Sequence, residues 1–246
     1  MVIPLYDTDP LDRNPWAVVT WSLIIINVLV FLAELGATEE TGIAMIRDYA
    51  LIPAAITGKV TLGGSLPPIM SVFTYTFLHG GWSHIIGNML FLWVLGDNVE
   101  DAMGSVRFLF FYFLCGAAGG LMHVFIYPDS TIPLVGASGA VAGVVAAYFM
   151  LRPCARILVL AFGVLPLRLG SAWVLGFWVL AQVWNVLTPH RGDTAWWAHI
   201  GGLLAGVVLV VLLRRPELPL FECMRPGDAV NVRANISSEK RRWGSR

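Results

Sequence analysis

Trp196–Leu213 reads WWAHIGGLLAGVVLVVLL: no charged residue, and one histidine, His199, three positions before a Gly202/Gly206 pair. An apolar run of about 20 residues crosses the roughly 30 Å hydrocarbon core of a bilayer as a helix. Lipid offers the backbone no hydrogen-bond partners, so a helix that satisfies its own N–H and C=O groups is the expected form. The run therefore predicts a membrane-spanning helix with a histidine in its first turn and a stripe of small residues along one face.

The rest of the 246-residue chain agrees with this start. Apolar types make up 57% of it and charged types 13%, against about 45–50% and about 25% in soluble domains. Five more apolar runs precede the first: Trp16–Leu35, Trp82–Asp101, Val106–Tyr127, Ala137–Leu151 and Ala172–Leu187. The expected fold is all-α, a polytopic bundle of six transmembrane helices. Residues 1–15 form an N-terminal segment, 16–213 the membrane domain and 214–246 a polar, basic tail without apolar periodicity. Gly36–Met70 is expected to be partly helical and interfacial. The apolar stretch Ile157–Leu167, too short to span, is expected at the surface or re-entrant.

With six spans, every Lys and Arg except Arg47, Lys59 and Arg191 falls on the side of the N-terminus. The positive-inside rule then makes both termini cytoplasmic, in a bacterial inner membrane. The start carries Asp7, Asp9 and Asp12 against Arg13. That is the wrong charge for a cleavable signal peptide, so the first run is expected to remain as a helix. No cationic stripe interleaved with aromatics is present, which argues against nucleic acid. The cysteines, Cys115, Cys154 and Cys223, are odd in number and far apart, so neither a disulfide framework nor a zinc knuckle is expected; Cys115 is expected to be packed in its apolar run.

In this topology the second, fourth and sixth spans start on the outer side. Their first turns carry His84 and Asn88, Ser138, and His199. Polar groups inside a bilayer are costly and commonly mark function. Ser138 sits in Gly136-Ala137-Ser138-Gly139, at a helix start whose free N–H groups would meet a developing oxyanion. Gly139 and Gly143 on its helix match Gly202 and Gly206 on the last one. Two small-residue stripes allow close packing, which would bring the Ser138 hydroxyl near His199 as its general base. His84 and Asn88, one turn apart, supply hydrogen-bond donors of the kind that stabilise a tetrahedral oxyanion. No H-E-x-x-H occurs, and Asp97 and Asp101 are the only aspartates inside the spans, both at one helix end. A serine–histidine dyad needs neither metal nor organic cofactor, and none is expected.

These motifs, in order, resemble the rhomboid family of intramembrane serine proteases: His79-Gly80-Gly81-Trp82-Ser83-His84-Ile85-Ile86-Gly87-Asn88, Glu100 through Gly104-Ser105-Val106-Arg107-Phe108, Gly136-Ala137-Ser138-Gly139, and Ala198-His199 with Gly202 and Gly206. The resemblance implies Ser138 as nucleophile, His199 as base, and His84, Asn88 and the Ser138 N–H as oxyanion hole. It implies structural roles for Glu100 and Arg107 at the turn between the second and third spans. The fifth span and the loop Thr188–Ala195 would move to admit substrate. The expected partners are single- or multi-span membrane-protein substrates and the lipid bilayer; the oligomeric state is left open. One departure stands out: many members carry an aromatic residue four positions after the serine, and this chain has Ala142. Trp196 or Trp197 could hold the histidine ring instead. The rival readings are a non-catalytic client-binding or chaperone protein of the same fold, which would lack a dyad residue, and a small transporter, which would show internal repeats and broken helices.

Overall fold

A computed structural model describes residues 2–9, 11, 13–14, 16–161, 164–188, 195–221 and 223. In chain order the elements are β1 (Val2–Asp7), α1 (Val18–Gly36), α2 (Glu39–Tyr49), α3 (Pro53–Ile56), α4 (Ser71–Thr74), α5 (Trp82–Met103), α6 (Ser105–Ile126), α7 (Ser138–Leu151), β2 (Arg156–Ala161), β3 (Leu165–Gly170), α8 (Ser171–Leu187) and α9 (Trp196–Leu213). The six apolar runs thus form the six longest helices. Three of them, α1, α6 and α9, are long and apolar enough to cross a membrane, while α7 and α8 are shorter apolar helices. On α1, Ile25, Leu29 and Leu32 are exposed, as befits a face that meets lipid. The protein is a membrane protein.

The centre is α7, packed against α5, α6, α8 and α9. Every residue of it except Ser138 and Phe149 is buried. Its small side chains let the neighbours come close: a Cβ on Gly206 would stand 2.6 Å from the Gly143 carbonyl oxygen, and one on Gly202 would collide with that of Gly139. The four glycines of the two stripes therefore face one another. In lipid, where apolar burial drives little association, such backbone contact is what holds helices together.

The end opposite Ser138 is fastened by buried acids. The Glu100 carboxylate, fully buried, accepts from the Val19 and Thr20 backbone N–H groups at 3.1 and 2.8 Å, from Thr20 Oγ1 at 2.9 Å, and from Ser105 Oγ at 2.6 Å. The first N–H groups of a helix have no partner within it and carry partial positive charge. Glu100, on α5, supplies both acceptor and counter-charge to the start of α1. Asp101 Oδ1 accepts from the Arg13 and Asn14 N–H groups at 2.7 and 2.5 Å. Gly104, at φ +86°, makes the tight break between α5 and α6 in a region that glycine enters freely.

The all-α expectation needs correction here. β1, β2 and β3 form an antiparallel sheet in that order, with Ile157 paired to Leu169 and Val159 to Leu167. Ile157, Val159 and Ala161 are buried and alternate with half-exposed neighbours, the period-two pattern of a strand packed on one face. The stretch expected at the surface is thus a β-hairpin, and the N-terminal segment is its third strand. Asp7 of β1 is buried and accepts from Tyr148 Oη at 2.5 Å and Asn98 Nδ2 at 2.7 Å. Beside it Asp9 pairs with Arg152.

One further expectation is corrected at the same end, where the start of the tail packs. The tail folds back: Arg215 donates its N–H to the Ala102 carbonyl, Leu218 is buried, and Phe221 donates to the Met150 carbonyl at 2.7 Å. That turn brings Cys223 to Cys154, 69 positions away, as a disulfide with a Cα–Cα distance of 5.3 Å. The odd cysteine count hid a pair that only the folded-back tail creates; Cys115 is free and buried. The rest of the tail, residues 224–246, and the loop residues 189–194 lie outside the described residues.

Candidate active site

The approach to Ser138 is pinned by backbone. Leu134 and Leu51 exchange N–H···O bonds of 2.8 and 3.1 Å, and the Gly136 N–H donates to the Tyr75 carbonyl at 2.9 Å. Gly136 has φ +117°, and a Cβ there would stand 2.5 Å from the His84 ring. Only glycine gives this turn and this room together. Two residues later Ser138 opens α7, half-buried; its N–H belongs to the unpartnered first turn of the helix.

His84 and Asn88 come to the same place from α5. Asn88 is buried, and among the described residues its side-chain nitrogen has no hydrogen-bond partner. That nitrogen is 3.7 Å from the position a Gly136 Cβ would take. A buried donor left unpaired costs about 1–3 kcal/mol and calls for an explanation. His79, five residues before His84, donates its backbone N–H to Glu34 Oε2 of α1 at 3.1 Å. Its ring meets that of His84 edge-on, 5.2 Å between centroids.

His199 arrives on α9, brought close by the Gly139/Gly202 contact. The preceding carbonyl, of Ala198, would stand 3.4 Å from a Cβ on Gly139. Among the described residues no hydrogen bond joins Ser138 Oγ to His199; such bonds are often open before substrate arrives. His199 is buried, and its Nδ1 lies 2.8 Å from Gln182 Oε1 of α8. Trp178, one turn earlier on α8, stacks on the imidazole with 6.2 Å between centroids and 29° between planes. Trp196 meets its edge at 5.6 Å. Trp178 also packs on the cluster of Ala142, Ala146 and Leu203. The aromatic missing after Ser138 is replaced from α8: Ala142 leaves the space, and Trp178 fills it.

The sequence offers Trp196 or Trp197 to hold His199; Trp196 meets the ring, and Trp178 and Gln182, which the sequence reading does not single out, join it. The available signal was an amide inside the apolar run Ala172–Leu187, which Gln182 shares with Asn185, since polar groups in such runs are costly and commonly mark function. Glu100 ties α5 to α1 as well as to Ser105. Arg107 is exposed, with no hydrogen bond or ion pair among the described residues. No three His, Cys, Asp or Glu side chains gather as a metal site among the described residues.

This arrangement sits inside a stretch with known kin. The Rhomboid domain family matches residues 68–216. Rhomboid protein 1, mitochondrial, of Saccharomyces cerevisiae is 30% identical over 76% of this chain and 51% of its own length. Rhomboid-like protein 11, chloroplastic, of Arabidopsis thaliana is 28% identical over 78% of this chain and 64% of its own. Rhomboid protease GluP of Bacillus subtilis is 30% identical over 61% of this chain and 27% of its own. The chain thus spans about half to two thirds of the first two relatives. A domain match that covers every element from α4 to α9 decides the question: the chain belongs to the rhomboid family.

Proposed function

We propose that this rhomboid is an intramembrane serine endopeptidase that cleaves membrane-protein substrates in or beside a transmembrane segment. The observation that carries the reading is the unpaired Asn88 amide, buried beside Gly136 and His84 at the start of the helix that Ser138 opens. A group with no partner in the resting protein is suited to one that appears only in the reaction, an oxyanion. The printed name of the Bacillus subtilis relative, a rhomboid protease, supports the same reaction class.

In this mechanism a substrate helix unwinds near the membrane surface and presents an extended stretch. His199 Nε2 takes the proton of Ser138 Oγ as that oxygen attacks the scissile carbonyl carbon. The carbonyl oxygen becomes an oxyanion held by the Ser138 N–H, His84 and Asn88. Collapse breaks the C–N bond, and the leaving amine takes the proton from His199. Water then hydrolyses the acyl-enzyme by the same route in reverse order.

The six long helices are proposed as six spans with both termini cytoplasmic, in a bacterial inner membrane. Arg152, Arg156, Arg214 and Arg215 at the Glu100 end support this orientation. It puts the Cys154–Cys223 disulfide on the cytoplasmic face. Once that disulfide is reduced, an impermeant maleimide should label both thiols in inverted vesicles and not in intact cells; the opposite pattern reverses the orientation.

The test of activity uses purified chain in detergent and a single-span reporter with a small residue and a helix breaker near its outer end. Cleavage is expected from the parent, with or without chelator. Ser138→Ala and His199→Ala should each lose at least 10³-fold. A serine-reactive fluorophosphonate should label Ser138 and fail on both variants. No cleavage and no labelling of the parent would move the reading to a client-binding protein of the same fold.

A further inference from the structure

We propose that Gln182 is the positioning residue of the catalytic base: it holds His199 in the tautomer that leaves Nε2 free to take the Ser138 proton. This rests on the reading of His199 as base. The two ends of a glutamine amide have nearly the same shape, so its orientation follows from its partners. Gln182 Nε2 lies 3.1 Å from the Trp178 carbonyl oxygen. That oxygen can only accept, so the NH2 end must face it and Oε1 must face His199. Oε1 also can only accept. The His199 nitrogen 2.8 Å away, Nδ1, therefore carries the hydrogen. In a neutral imidazole the other nitrogen is then the lone-pair acceptor. The carbonyl of Trp178 fixes the amide, and the amide fixes the imidazole.

The place of Gln182 gives this contact a second property. On α8, Trp173, Phe177, Leu180, Trp184 and Leu187 are all about two-thirds exposed or more, and beyond Leu175 the one buried residue of the helix is Gln182. The second half of α8 is thus held to the bundle by its polar contact with the base and by Trp178 and Val179 at its start, which pack on the cluster of Ala142, Ala146 and Leu203. A movement of α8 away from α9 withdraws the acceptor from Nδ1. Base alignment and the seating of α8 are one variable.

Gln182 differs from the carboxylate of a serine-protease triad in carrying no charge. It orients the imidazole without the stabilisation of imidazolium that an anion would add. This makes the exchange to glutamate informative. The experiment measures kcat and KM for reporter cleavage, and the rate of Ser138 labelling by fluorophosphonate, for the parent, Gln182→Glu, Gln182→Met and Gln182→Leu from pH 5 to 9. Methionine keeps length and packing and removes the acceptor. Gln182→Met and Gln182→Leu should lower kcat and the labelling rate about 10- to 100-fold with KM within about twofold. Gln182→Glu should keep kcat within about fivefold and move the acid limb of the kcat/KM profile to higher pH, because an anion beside Nδ1 favours imidazolium. The proposal is overturned if Gln182→Met keeps the parental kcat and profile. It is also overturned if Gln182→Glu is as impaired as Gln182→Met, which would mark a packing role. Ser138→Ala and His199→Ala run beside these. If they still cleave, the dyad reading itself fails; if they are inactive while Gln182→Met is not, only the role of Gln182 fails.

Discussion

The two ends of α5 treat their polar groups in opposite ways. At Glu100 a fully buried carboxylate is surrounded by donors, the first N–H groups of α1 among them. At Asn88 a buried amide nitrogen has no partner among the described residues. One helix thus carries a saturated end and a deliberately open one. A hydrogen bond satisfied in the resting state contributes stability; one left open is available to a reaction. On the proposed reading the contrast separates residues that keep the fold from residues that serve the reaction, and it can be tested by asking which property each substitution moves.

The largest effect is expected at the open end. Asn88→Ala should lower kcat about 10²-fold, the scale for loss of one oxyanion donor. Its melting temperature should be unchanged or higher, since an unpaired buried group has been removed. A large fall in stability instead would place Asn88 with Glu100 and dissolve the comparison. Next comes the saturated end. Glu100→Gln has an amide donor facing the Thr20 N–H and should cost about 2–3 kcal/mol, read as a lower thermal midpoint in detergent. The rate of Ser138 labelling per folded molecule should stay within about twofold; loss of labelling in a folded variant would show the two ends to be coupled.

The smallest effect concerns Asp7, at the saturated end yet incompletely compensated. Burial pushes its carboxyl from 3.8 up to about 7, with Asp97 and Asp9 nearby raising it further and the Tyr148 hydroxyl and Arg152 opposing. The docked strand holds a proton between about pH 4 and 7 that an undocked strand releases. Docking therefore weakens as pH rises through that window and is weakest above it. Amide exchange in β1 and β2, corrected for intrinsic rates, should show less protection at pH 8 than at pH 5, and Asp7→Asn should flatten the difference. Equal protection at both pH values would show that Asp7 is not the strained member of this end.

The helices were readable from the chain because each is a local pattern. α9 runs from Trp196 to Leu213 as its uncharged stretch does, and α7 begins one residue inside the expected Ala137. Ser138 could be singled out for the same reason, by its glycine neighbours and its place at a helix start. What escaped notice is non-local. The alternation of Ile157, Val159 and Ala161 was available to a period-two reading, but their partner strand lies at the other end of the chain. Cys154 and Cys223 meet only because Phe221 returns to Met150. Glu100 carries no mark in sequence of the α1 N–H groups it serves. Gln182 is the exception, a polar residue conspicuous in its run whose partner could have been sought on the next helix.

On the proposed reading, the length of α7 sets the depth of the chemistry. Its 14 residues rise roughly 21 Å at about 1.5 Å each, some 9 Å short of a hydrocarbon core about 30 Å thick. If its far end is level with one interface, Ser138 lies about that far beneath the other. In the proposed reaction, water would come down to it, and a scissile bond would lie about two turns inside the outer boundary of its helix, not at the bilayer centre. A reporter whose susceptible bond is moved stepwise along the membrane normal should be cut in a narrow band at that depth.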